Sequence, residues 1–224
     1  MSIWAPIALC FLLFIILFIV FAAAVPGMKI RTELWATLIG LLAVLPVAFT
    51  EYVVLNLPIF TSNSFISVIV TALIFNGLIE ESLKMIGMFL LPAKKLTIST
   101  FFCSCILCGL AFGSFESVIY MLVFLQKNTG TGTEAIFNLV LARLCTAVLI
   151  HTFCAGLSGL YIWTFKKKKV KVAPFIWAVI LHGLYNFFAS YPKPFYYFII
   201  PVILFAAVEC RIRYQSISEY KSEN

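Results

Sequence analysis

The sequence predicts an all-α polytopic membrane protein with about seven transmembrane helices, and three observations carry that prediction. Of the 224 residues, 63% are apolar and only 11% are charged. Soluble domains average about 45–50% and about 25%, and a water-soluble chain of this length has no interior large enough for so much apolar surface. The apolar residues form runs that reach the roughly 20 positions a helix needs to cross a hydrocarbon core about 30 Å thick. The positive residues sit between those runs and fall mostly in alternate connections, which is the pattern of a topology signal.

The first run, 3–25, is too long and uniform for a signal-peptide core. It has no basic residue before it, so it reads as a retained helix despite the cleavage-like Ala22, Ala23 and Ala24. Runs over 34–54, 65–91, 98–125, 135–165 and 173–190 follow, and a shorter one over 195–208 brings the count to seven, with six as the alternative. Turn and breaker residues separate them: Pro26-Gly27, Pro58, Pro92, the glycine-containing stretch 128–133, and Pro192 and Pro194. Every connection is short, so residues 1–210 are expected to form one transmembrane domain and 211–224 a short polar tail.

Lys29 and Arg31, Lys94 and Lys95, the five lysines from Lys166 to Lys171, and Arg211, Arg213 and Lys221 share one set of connections. The other set holds only Lys127 and Lys193. Twelve positives against two predict an N-terminus outside and a C-terminus in the cytoplasm. These flanking residues account for the net charge of +7, so nucleic acid is not an expected partner. Six of the seven cysteines lie within apolar runs, where the thiol packs as a small hydrophobe, and no disulfide framework is expected. Cys103, Cys105 and Cys108 do not share one helix face, so packing rather than a metal site is the reading for them.

Ionisable groups inside a bilayer are costly and tend to face a protein interior or a wet cavity. Here they are Glu80, Glu81, Lys84, Glu116, Arg143, His151 and His182, and the last two are the only histidines in the chain. Lys84 stands i+4 from Glu80 and i+3 from Glu81, so it reaches either carboxylate on the same side of a helix. One glutamate then stays ionised by pairing while its neighbour is less compensated, the asymmetry that acid–base chemistry uses. Glu116 lies one turn after Phe112, and Gly109 and Gly113 form a small-xxx-small pair that admits a close helix neighbour. His151 follows Arg143 by eight residues, about two turns, which keeps both near one face. His182 and Asn186 are an i, i+4 pair whose donors suit a developing oxyanion. A structural ion pair, a buried glutamate bonded to Arg143 and a histidine bonded across helices are the plain alternatives for each motif alone. Their position on four consecutive spans, well inside each, predicts one polar cavity.

The ordered set EExxK at 80–84, FxxxE at 112–116, His151 followed by small residues, and HxxxN at 182–186 resembles the PrsW family of bacterial membrane proteases. It is similar, more distantly, to the CAAX prenyl protease superfamily. The resemblance covers residues 76–187, about half the chain. It implies a multi-helix endopeptidase of the bacterial cell membrane whose substrate is a membrane-embedded or membrane-anchored protein, as when PrsW-like proteases cleave anti-sigma factors in stress signalling. It further implies that Glu80 or Glu81, with Glu80 preferred, activates water, and that His182 and Asn186 polarise the scissile carbonyl. CAAX proteases carry a histidine where this chain has Glu116, which places the chain on the PrsW side.

Glutamates and histidines on neighbouring helices also suit zinc, but the HExxH arrangement is absent, and the resemblance to a glutamate-dependent superfamily favours no cofactor, with zinc as the alternative. Two other classes compete. A proton-coupled transporter would use the same carboxylates and histidines as a relay but would show inverted repeats, and none is evident. A non-catalytic scaffold would have lost motif residues, and all are present.

Overall fold

The computed structural model describes residues 3–55, 65–128 and 132–219. The expected breaker at Pro58, the middle of the 128–133 connection and Lys221 lie outside the described residues. Every regular element described is helical, and no strand occurs among the described residues. Besides short 3-10 turns at Ala93–Lys95 and Phe195–Phe198, these are in chain order α1 (Trp4–Cys10), α2 (Leu12–Ala24), α3 (Ile30–Leu55), α4 (Phe65–Val70), a π-helical stretch (Thr71–Ile79), α5 (Glu80–Met88), α6 (Ile98–Lys127), α7 (Thr133–Cys145), α8 (Ala147–Lys166), α9 (Ala173–Ala189) and α10 (Ile199–Glu219).

All seven apolar runs are helical, and five to six of the described helical segments are long and apolar enough to cross a membrane. Five helical segments are long and apolar enough to cross: Ile30–Val53, Phe65–Met88, Ile98–Lys127, Thr133–Lys166 and Phe195–Glu219. The first run breaks at Phe11, where α1 and α2 meet at 45°, and together they make the sixth. The run 173–190 yields only the 17 residues of α9. At about 1.5 Å per residue these rise about 26 Å, the lower end of the length that crosses a hydrocarbon core. The chain is an integral membrane protein, with large apolar side chains such as Leu45, Ile66, Leu90 and Leu204 exposed on the outer faces of its helices.

α6 is the central element. Thr97 caps it, its hydroxyl accepting from the Thr100 amide at 3.2 Å, which satisfies one of the free donors at a helix start. Its two glycines explain how α8 packs against it. A Cβ at Gly109 would lie 2.5 Å from the His151 carbonyl oxygen and 2.6 Å from Ala155 Cβ, and one at Gly113 would lie 3.0 Å from the His151 ring. The small-xxx-small pair therefore sets the close approach of the helix that carries His151. Cys105 packs the same seam from the other direction, 2.5 Å from where a Cβ at Gly159 would be. All seven cysteines are free.

Besides the first run, two long runs expected as unbroken helices are interrupted. The first interruption is the π-helical stretch directly before Glu80. Gly77 and Gly183 face each other there, and a Cβ on Gly77 would come within 2.6 Å of the Val179 carbonyl. The wider turn of a π-helix accommodates this contact with α9 and resets the phase of the side chains that follow. The second is Thr146, whose φ of −130° and ψ of −73° break α7 from α8. Its hydroxyl donates to the Ala142 carbonyl at 2.7 Å and accepts from Tyr185 at 3.1 Å. The break lets Arg143 and His151, on different helices, approach the same glutamate.

Candidate active site

The site starts at the first turn of α5. Glu80, Glu81 and Lys84 are all buried, with Lys84 wholly inaccessible. The Lys84 ammonium lies 3.1 Å from Glu80 Oε1 and 2.5 Å from Glu81 Oε1, so one lysine serves both carboxylates. The compensation is shared rather than given to one of them. The same ammonium is 3.1 Å from His151 Nδ1 on α8 and sits 4.6 Å above the Phe112 ring on α6.

His151 joins this inner cluster to an outer one. Lysine has no acceptor, so Nδ1 accepts from Lys84, and the ring proton is assigned to Nε2, which donates to Glu116 Oε2 at 2.9 Å. Glu116 also accepts from the Arg143 guanidinium, whose Nε donates to Ser117 Oγ at 3.2 Å. The inner groups are at most 2% exposed, whereas the Glu116 and Arg143 side chains are 14% and 15% exposed. Glu116 and Arg143 are thus the less enclosed end of the cluster.

His182, on α9, closes the inner side. Its Nδ1 is 2.8 Å from Glu81 Oε1 and its Nε2 is 3.6 Å from Glu80 Oε1, and its ring meets that of His151 edge to face at 4.8 Å. Glu81 Oε2 accepts from Ser158 at 3.3 Å. Glu81 therefore has the shorter contacts and one hydrogen bond, while Glu80 Oε1 lies 3.1 Å from Lys84, 3.2 Å from His151 Nδ1 and 3.6 Å from His182. The approaches to Glu80 Oε1, Glu81 Oε1 and His182 Nδ1 are close but out of line for hydrogen bonds, and these three buried atoms lack an aligned partner.

The structure gathers Glu80, Glu81, Glu116, His151 and His182 with Lys84 and Arg143, and it leaves Asn186 outside. The Asn186 amide donates to the His182 carbonyl of its own helix at 3.4 Å. The physical reason is local: an asparagine within a helix competes for the carbonyl four residues back when no partner on another helix takes its amide. Sequence reasoning missed Glu51 on α3, which interacts electrostatically with Glu80, Glu116, His151 and Lys84. The available signal is a carboxylate near the end of the apolar run 34–54. Ser158 was also missed. It lies seven residues after His151, two turns along the same face of α8.

Four of these residues, Glu80, Glu81, His151 and His182, each offer a ligand atom within 4.8 Å of the others. Two carboxylates and two imidazoles make a donor set of the kind zinc takes, and the buried atoms without aligned partners point into it, so the residues fit a divalent metal in type and spacing.

A helical membrane protein with a glutamate and histidine cluster buried at the junction of α5, α6, α8 and α9 has the makings of an intramembrane peptidase. A family model described as PrsW family intramembrane metalloprotease matches residues 29–208, and the chain belongs to that family. It is accordingly a membrane peptidase. Neither the curated proteins nor the solved structures compared with it give a match.

Proposed function

We propose that the chain is an endopeptidase that hydrolyses a peptide bond of a membrane-embedded or membrane-anchored protein, using water activated by a glutamate, with Glu80 as the base. The observation that carries this reading is the asymmetry of the pair: Glu81 contacts Lys84 and His182 at 2.5 and 2.8 Å and accepts from Ser158, whereas Glu80 contacts Lys84, His151 and His182 at the longer distances of 3.1, 3.2 and 3.6 Å. In this reading Glu80 takes a proton from water as the oxygen bonds to the scissile carbonyl carbon. It returns that proton to the amide nitrogen as the C–N bond breaks. Lys84 and the Glu116–His151 bond hold the geometry, and His182 faces the place where negative charge develops. The Asn186 bond of 3.4 Å is long and weak, so its amide can turn from the His182 carbonyl to join His182 when substrate is present. If a zinc ion is bound by Glu80, Glu81, His151 and His182, it supplies Lewis-acid polarisation and a more acidic water.

The substrate proposed is a membrane-anchored regulator of the anti-sigma-factor kind, and the location proposed is the bacterial inner membrane. The test is incubation of the purified protein in liposomes with single-span peptides in ¹⁸O-labelled water, read by mass spectrometry. A new carboxyl terminus carrying the label is the expected product. Proton flux across the liposome with no cleavage of any peptide would favour the transporter reading.

Two further outcomes follow from this reading. His182→Ala should lower turnover by about 10²–10³, the usual cost of losing one oxyanion donor, with little change in substrate capture. Asn186→Ala should cost less, since its amide is not committed to the cluster; single-turnover kinetics separate the two. The positive-inside pattern predicts cytoplasmic placement for a reporter fused after Lys169 and an outside placement for one in the 128–133 connection. Both reporters on one side of the membrane would contradict it.

A further inference from the structure

The Lys84 ammonium lies 2.5 Å from Glu81 Oε1, 3.1 Å from Glu80 Oε1 and 3.1 Å from His151 Nδ1. Those are three of the four residues whose donor atoms come within 4.8 Å of one another. The nitrogen is thus in contact with three of the four residues that would hold a metal. Zinc needs the same lone pairs at about 2.0–2.2 Å, and a coordinating nitrogen cannot also accept from lysine. The lysine is fixed where it is. Its side chain is wholly buried, its charge rests over the Phe112 ring at 4.6 Å, and its chain is packed on the first turn of α5 beside both glutamates.

We propose that Lys84 is the resident cation of this site, filling the place among Glu80, Glu81 and His151 that a divalent metal would need, so that lysine and metal are alternative occupants. The proposal deepens the glutamate-activated reading and rests on it. A positive charge close to both carboxylates keeps the pair together in a low-dielectric interior, where two adjacent uncompensated carboxylates repel strongly. A divalent ion entering the same shell meets that positive charge at contact distance and loses His151 Nδ1 as a ligand. Lys84 therefore acts as a positioning residue, holding Glu80, Glu81 and His151 in register without touching substrate.

The experiment compares the wild type with Lys84→Met, both purified without chelator and then titrated with cobalt(II), whose visible absorption reports tetrahedral coordination. The wild type should carry well under one equivalent of bound metal by elemental analysis and develop little absorption. Lys84→Met should take up one equivalent of cobalt, with the absorption of a four-ligand site and an affinity tighter by a factor on the order of 10², because a like charge at contact distance is gone. Adding His151→Ala to Lys84→Met should remove that site. Lys84→Gln, which retains a polar tip, is the second variant should the methionine protein not fold. A full equivalent of metal in the wild type, held with no change in affinity in either variant, would overturn the proposal. The liposome cleavage assay is run on the same preparations, so a wild type that carries stoichiometric metal and still cleaves sinks the role given to Lys84 while leaving the peptidase reading intact.

Discussion

Glu80→Gln should reduce cleavage by about 10²–10⁴, the range that general-base catalysis contributes, while the protein stays folded. The amide keeps the shape of the carboxylate and can still meet its neighbours through oxygen, but it cannot take a proton from water. Glu81→Gln should act differently. Glu81 holds Lys84, His182 and Ser158 together within 2.5–3.3 Å, so its loss removes charge from the centre of the cluster and should destabilise the protein as well as slow it. Thermal unfolding and turnover measured on both variants separate these outcomes. Equal activity of Glu80→Gln and wild type, with an inactive but stable Glu81→Gln, would exchange the roles of the two residues.

Gly109→Ala should be strongly damaging, because the added methyl group falls on the helix that carries His151. Its Cβ would lie 2.5 Å from the His151 carbonyl oxygen and 2.9 Å from Thr152 Cα. These are backbone atoms of α8, so no side-chain rotation relieves the clash and α8 must move. Overpacking of this kind costs about 1–3 kcal/mol. The displaced helix carries His151, whose contacts to Glu116 and Lys84 are 2.9 and 3.1 Å. A displacement of about 1 Å at a catalytic constellation can cost about 10²-fold in rate. Lower thermal stability and strongly reduced turnover are both expected. A variant with wild-type values for each would mean that α6 and α8 are not held in the contact described.

The contrast between Gly109 and Glu51 shows which parts were legible in the sequence. The apolar runs, the Lys84 spacing to Glu80 and Glu81, and the glycine pair on α6 are readable because each depends on helical periodicity, which fixes neighbours within one or two turns. Glu51 carries no such neighbour. Its place beside the site follows from the packing of α3 against α5 and α6, and that is tertiary information. The π-helical stretch before Glu80 and the break at Thr146 were illegible for the same reason: the first accompanies the Gly77 and Gly183 contact between segments a hundred residues apart, and the second is bonded to Tyr185 on α9. The i, i+4 spacing of His182 and Asn186 does put them on one side of α9, but spacing does not fix a rotamer. The Asn186 amide turns to its own backbone instead. Whether six or seven segments cross turns on α9, which is apolar and 17 residues long.

The central claim is that the glutamate pair activates the water that cleaves the peptide bond. The direct measurement is the Glu80→Gln, Glu81→Gln double variant, purified, shown to be helical and monodisperse, and reconstituted with a single-span peptide that the wild type cleaves. The account predicts no labelled carboxyl terminus above the background of protein-free liposomes, even at long times. Cleavage retained in that variant at the same bond would contradict the account.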